Sequence, residues 1–192
     1  KVVIITHYNP DGDAIGSSLG LKHFLKELGL EPIVIVPNDF PKFLKWMPEA
    51  KKTIIADYKR KMASDAIKDA DVIFCLDFNA HNRIGIVGDW LANATAKKIL
   101  IDHHQQPEDF DFVYSDVTIP ATCQMIYHFI EALGKEDLVN QNIAECLYTG
   151  IMTDTGGFRF RSTSATTHRI VANLIEKGAD PAMITSNTWD TN

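Results

Sequence analysis

Short runs of apolar residues alternate with longer stretches in which apolar positions recur every three or four residues. Residues 2–6 form a continuous apolar run, the pattern of a strand buried on both faces. Turn formers crowd Asn9-Pro10-Asp11-Gly12-Asp13. A helix is predicted over 14–28, where Leu21, Phe24, Leu25 and Leu28 share a face and Gly29 supplies the stop. Further strands are predicted at 33–36, 72–76 and 98–101, with a weaker one at 53–56, and further helices at 122–133, 142–152 and 166–176. Strands alternating with helices predict an α/β fold: a mostly parallel sheet with helices on both faces. No internal repeat, low-complexity tract or Pro/Gly/Ser-rich linker divides the chain, so residues 1–192 read as a single domain.

Composition narrows the function classes. The 192 residues suit one domain at roughly 150 residues per domain. A chain of this length buries about 70% of its unfolded surface, so neither disulfide nor metal is needed merely to fold. Nineteen Lys plus Arg against 25 Asp plus Glu leave a net charge of −6. That balance argues against a broad surface for duplex nucleic acid. With no basic, aromatic-interleaved tract, it also disfavours a processive single-strand exonuclease. Cys75, Cys123 and Cys146 are odd in number and lack CxxC spacing, so they read as small core residues of a reducing compartment. No apolar run approaches the ~20 residues of a membrane span. A cytoplasmic protein without a membrane partner is expected. Asn93-Ala94-Thr95 fits a glycosylation triplet, but such triplets are frequent by chance. Residue 1 is Lys and the first strand follows at once, which reads as a chain trimmed at its front.

The chemistry-bearing residues fall at strand ends, where open α/β sheets bind their ligands. The first strand runs into His7, Asp11 and Asp13, and the 72–76 strand into Asp77. The 98–101 strand runs into Asp102-His103-His104, and the 142–152 helix into Asp154. Six of these (His7, Asp11, Asp13, Asp77, His103, Asp154) would collect at one edge as a mixed imidazole and carboxylate cluster. Four carboxylates packed together without cations would repel and shift one another's pKa. Divalent metals relieve this, and such a donor set suits Mn²⁺ or Mg²⁺. Taken singly, each residue has an ordinary explanation. Pro-Asp-Gly-Asp is commonly a turn, and Asp13 beside Ala14 reads as a helix N-cap. Delivery by three separate strands to one edge is what favours a site.

Two other motifs carry less weight. Gly16-Ser17-Ser18-Leu19-Gly20 fits the G-x-S-x-G nucleophile elbow, which needs its serine on a tight turn directly after a strand, whereas Ser18 lies within a predicted helix. Asp154-Thr155-Gly156 matches the aspartic-protease triplet, but those enzymes pair two such aspartates in an all-β fold. No Walker A loop or dinucleotide fingerprint is present.

The stretch from His7 through Pro10-Asp11-Gly12-Asp13 to Ser17 resembles the first motif of the DHH phosphoesterase family. Asp77 with Arg83-Ile84-Gly85 resembles the second, and Ile101-Asp102-His103-His104 contains the triplet that names the family. Residues 148–158 resemble the fourth. The likeness is nearest to nanoRNases with pAp phosphatase activity. It implies a manganese-dependent phosphoesterase, with Mg²⁺ the other candidate, acting on short oligoribonucleotides or 3′-phosphoadenosine 5′-phosphate through a two-metal-activated hydroxide. Two alternatives are a cyclic-dinucleotide phosphodiesterase and a non-catalytic nucleotide-binding module. By resemblance, His7, Asp11 and Asp77 would hold one metal, and Asp13, Asp77, His103 and Asp154 the other, with Asp77 bridging. His104 joins Asp77 as a catalytic candidate, through contact with phosphate or protonation of the leaving oxygen, and Asp102 is expected to orient a histidine. Arg83 and Ser17 are candidate phosphate contacts. Arg159 and Arg161, flanking Phe160 in a strand-like stretch, read as a solvated strand face, and Asn79 and His81 as possible outer contacts of the site. The resemblance further implies a smaller substrate-binding domain beyond residue 192. A homodimer is left open.

Overall fold

Val3 and Ile5 are buried on one side of the first strand and Ile4 on the other, so both faces of the sheet are covered. The computed structural model describes residues 1–189. Its strands are β1 (Val2–Ile5), β2 (Ile33–Val36), β3 (Ile54–Ile55), β4 (Val72–Leu76), β5 (Lys97–Asp102) and β6 (Phe112–Ser115). All pair in parallel in the order β3-β2-β1-β4-β5-β6. The helices are α1 (Gly12–Glu27), α2 (Arg60–Lys68), α3 (Ile86–Asn93), α4 (Thr122–Ala132), α5 (Gln141–Asp154), α6 (Ala165–Glu176) and α7 (Pro181–Trp189). On one face, α1, α4, α5, α6 and α7 bury Leu19, Phe24, Ile126, Ile151, Leu174 and Ile184 together with Ile4, Phe74 and Ile101 of the sheet. On the other, α2 and α3 bring Ala63, Ile67, Val87 and Leu91 against Ile5, Ile73 and Leu100. The expected α/β architecture is therefore present.

Four elements had no counterpart among the expectations: α2, α3, α7 and β6. Of α2 only Ala63 and Ile67 are buried, too few for a visible stripe. Strand β6 lies at the sheet edge with Phe112 and Val113 exposed. The 158–161 stretch is not a strand. It belongs to a series of turns over 155–162 in which Gly156, Gly157 and Phe158 all have positive φ (57°, 70° and 65°). The domain expected beyond residue 192 lies outside the described residues.

Helices α1 and α5 cross at backbone distance. A Cβ on Gly16 would lie 2.6 Å from the Cys146 carbonyl oxygen, and one on Gly150 would lie 2.2 Å from Cys123 Sγ. Only hydrogen fits at either position. The crossing sets the first turn of α1 against the last turn of α5, where Gly12 meets Thr153. It thereby brings Asp13 to Asp154.

Candidate metal centre

Strand order reverses between β1 and β4: the chain moves from β1 to β2 and β3 on one side, then from β4 to β5 and β6 on the other. A crevice opens at such a switch point, at the carboxyl ends of the strands. His7 follows β1, Asp77 follows β4 directly, and His103 follows β5. Asp77 has φ +63°, a left-handed conformation that costs a non-glycine residue on the order of 1–3 kcal/mol. Asp11, not Asp13, caps α1, its Oδ1 accepting from the backbone N–H groups of Asp13 and Ala14, each at 3.0 Å. The expected cap is thus shifted by two residues. The helix begins at Gly12, inside the run of turn formers, and Asp13 is carried inward to full burial.

The six side chains meet. His7 Nε2 lies 3.4 Å from Asp77 Oδ2 and 3.9 Å from Asp11 Oδ1. His103 Nε2 lies 3.4 Å from Asp77 Oδ1, 3.5 Å from Asp154 Oδ2 and 3.8 Å from Asp13 Oδ2. Asp77 thus turns one oxygen to each histidine. Both imidazoles have their other nitrogen committed: His7 Nδ1 is 2.8 Å from the Tyr8 carbonyl, and His103 Nδ1 is 3.2 Å from that of Ile119. A carbonyl only accepts, so each Nδ1 carries a proton and each Nε2 faces the carboxylates. This is the arrangement metal-binding histidines adopt. Two donor groups within reach of a single ion emerge, His7-Asp11-Asp77 and Asp13-His103-Asp154, with Asp77-His103-His104 a third overlapping combination. The donor chemistry fits a hard divalent cation.

The description of the DHH family's N-terminal domain matches residues 1–151. The chain belongs to the DHH family. It is 36% identical over 186 residues to the bifunctional oligoribonuclease and PAP phosphatase NrnA of Thermus thermophilus, a match covering 96% of this chain and 52% of that protein. It is 27% identical to the Bacillus subtilis protein of the same name, over 99% of this chain and 57% of that one. A crystal structure of an exopolyphosphatase-related protein from Bacteroides fragilis superposes with a TM-score of 0.98 at 44% identity, covering all of this chain and 57% of that one. This DHH chain therefore spans about half the length of the curated relatives it matches.

Burial, followed by the nearby charge of Asp77, pushes the Asp13 carboxyl up to about 8 in this DHH cluster. Burial and then the charges of Asp13 and Asp77 push Asp154 to about 9. For His103, burial works downward but is outweighed by the Asp77 hydrogen bond and the charges of Asp13, Asp77 and Asp154, which raise it to about 9. Burial would raise Asp77 as well, yet hydrogen bonds from His103 and His7 hold it well below the usual carboxylate range. His7 is raised, burial being overcome by the Asp77 contact. Protons thus occupy places that a dication would take.

The remaining predicted residues divide sharply. Asp102 is fully buried and its Oδ1 lies 2.6 Å from His104 Nδ1, while its Oδ2 has no hydrogen-bond partner among the described residues. His104 is partly exposed, and its Nδ1 is 3.9 Å from Asp77 Oδ1. Arg83 is exposed, and among the described residues its guanidinium pairs with no carboxylate; its carbonyl accepts from the Tyr8 N–H. Ser17 is fully buried with its hydroxyl on the Ala14 carbonyl (3.3 Å), so it presents no donor to a ligand in this conformation. Ser18 likewise donates to Ala14 from inside α1, unlike an elbow serine. Asn79 and His81 tie their loop to Gln105 and Glu108. Arg159 donates from Nε to the Gly156 carbonyl. A cleft of about 490 Å³ is lined by His81, Lys98 and Phe110 and by none of the six clustered residues.

Sequence reasoning missed the N-terminus of α4. The N–H groups of Thr122 and Cys123 donate to Asp13 Oδ2 and Oδ1 at 2.6 and 2.8 Å. These contacts span 109 and 110 residues, and no quoted motif includes Thr122 or Cys123.

Proposed function

We propose that this chain is the catalytic part of a metal-dependent phosphoesterase acting on small nucleotides, either short oligoribonucleotides or 3′-phosphoadenosine 5′-phosphate. The observation that carries this reading is the paired orientation of His7 and His103, each with Nδ1 on a backbone carbonyl and Nε2 on a different oxygen of Asp77. The names of the Thermus and Bacillus relatives support the substrate class. Two divalent cations, manganese ahead of magnesium, would be held by His7, Asp11 and Asp77 and by Asp13, Asp77, His103 and Asp154. Such a pair, when bound, supplies a strong oxygen nucleophile at neutral pH and neutralises phosphoryl charge.

The side chains around it have separable tasks. Asp102 fixes the His104 ring by holding its Nδ1. His104 then holds a proton at Nε2 for the departing ester oxygen. Arg83, exposed and without a carboxylate partner among the described residues, is suited to gripping two phosphoryl oxygens. Ser17 is left out of this reading because its hydroxyl is buried. No helix among the described residues is long and apolar enough to cross a membrane, and the three buried free cysteines fit a reducing, cytoplasmic setting.

The test is single-turnover cleavage with protein in excess over labelled pAp, linear diadenylate and cyclic diadenylate. Manganese-dependent cleavage of pAp or the linear dinucleotide is expected, abolished by chelation and by Asp77→Ala. Preference for the cyclic substrate would transfer the assignment to cyclic-dinucleotide hydrolysis. Cleavage that survives both chelation and Asp77→Ala would overturn the metal-dependent reading.

A further inference from the structure

Thr122, the first residue of α4, touches two clustered carboxylates at once. Its hydroxyl donates to Asp77 Oδ1 at 3.0 Å, and its backbone N–H donates to Asp13 Oδ2 at 2.6 Å. Thr122 and Asp13 have no exposed surface and Asp77 is 2% exposed, so water does not compete for these bonds. Helix α4 has no side-chain cap from Ala121, and Asp13 of α1 takes that place from another element. The carboxylates and the helix terminus are therefore held by one another.

The hydroxyl has a more specific consequence. The terminal torsion of an aspartate is broad and roughly two-fold, so a carboxylate with no side contact can swing. Asp77 must keep Oδ1 toward His103 and Oδ2 toward His7, both at 3.4 Å, if both donor groups are to share it. The Thr122 hydroxyl occupies one acceptor position of Oδ1 and leaves the other facing His103. We infer that Thr122 is a positioning residue that fixes the rotation of the Asp77 carboxylate and thereby sets metal affinity without touching substrate. This inference rests on the metal-binding reading proposed above.

Thr122→Val keeps the shape and removes the donor, whereas Thr122→Ser keeps the donor. The experiment is calorimetric titration of each chain with Mn²⁺ alone, beside thermal unfolding of the metal-free proteins. Thr122→Val should weaken Mn²⁺ binding by roughly ten- to a hundredfold, the usual effect of removing a partner of a metal ligand, while Thr122→Ser stays close to wild type. Equal affinity in wild type and Thr122→Val would overturn the inference, as would equal weakening in Val and Ser. A purely structural role would lower the metal-free melting temperature and leave Mn²⁺ affinity in place, which also overturns it. A wild-type chain that takes up no Mn²⁺ would instead overturn the metal reading itself, and this inference with it.

Discussion

At the scale of single residues, position in the chain decides role. The six clustered side chains were legible because each lies at or shortly beyond the end of a strand or helix predicted from the sequence, and a parallel sheet brings its strand ends to one edge. The individual torsions were not legible. Nothing in the sequence announces that Asp77 adopts φ +63°, or that Asp11 rather than Asp13 caps α1. Ser17 misled because a helix N-terminus attracts anions in general, while this one is packed until no surface remains at Ser17. His104 carries the sharpest prediction at this scale. With Nδ1 held by Asp102, its role in proton delivery predicts that His104→Ala lowers kcat about 10²- to 10⁴-fold. Mn²⁺ affinity should stay near the wild-type value, and parallel titration and steady-state kinetics measure the two effects separately.

Elements succeed or fail by how much apolar surface they show. The strands β1, β2 and β4 are continuous apolar runs, and α4 and α5 are long and largely buried, so all were readable with ends displaced by at most two residues. Helices α2 and α3 were not, since each is short and buries only two or three residues. The α1–α5 crossing matters most to the site, because it joins the turn carrying Asp13 to the turn carrying Asp154. Gly150→Ala would drive a methyl group to 2.2 Å from Cys123 Sγ and 2.9 Å from Asp13 Oδ1. Overpacking of this kind typically costs about 1–3 kcal/mol. Denaturant unfolding should register that loss, and Mn²⁺ binding should weaken alongside it.

For the whole molecule, the −6 charge argues against a broad duplex-binding surface but is compatible with small-nucleotide chemistry at a site screened by cations. The cluster also ties stability to pH. Asp13 near 8, Asp154 near 9 and His103 near 9 all titrate above their ordinary values. Between pH 7 and about 9 the metal-free folded chain therefore binds more protons than the unfolded chain, and stability falls as pH rises through that window. Melting temperature without metal should be lower at pH 9.5 than at pH 7, and saturating Mn²⁺ should reduce the difference by taking the protons' place. An unchanged or higher melting temperature at pH 9.5 would contradict these shifts. The most direct test of the central claim is to count tightly held Mn²⁺ ions per chain by native mass spectrometry, in the wild type and in Asp77→Ala. Two ions per wild-type chain and at most one in Asp77→Ala are predicted, because Asp77 turns an oxygen to each histidine. A wild type that retains none, or an Asp77→Ala chain that retains two, would contradict the account.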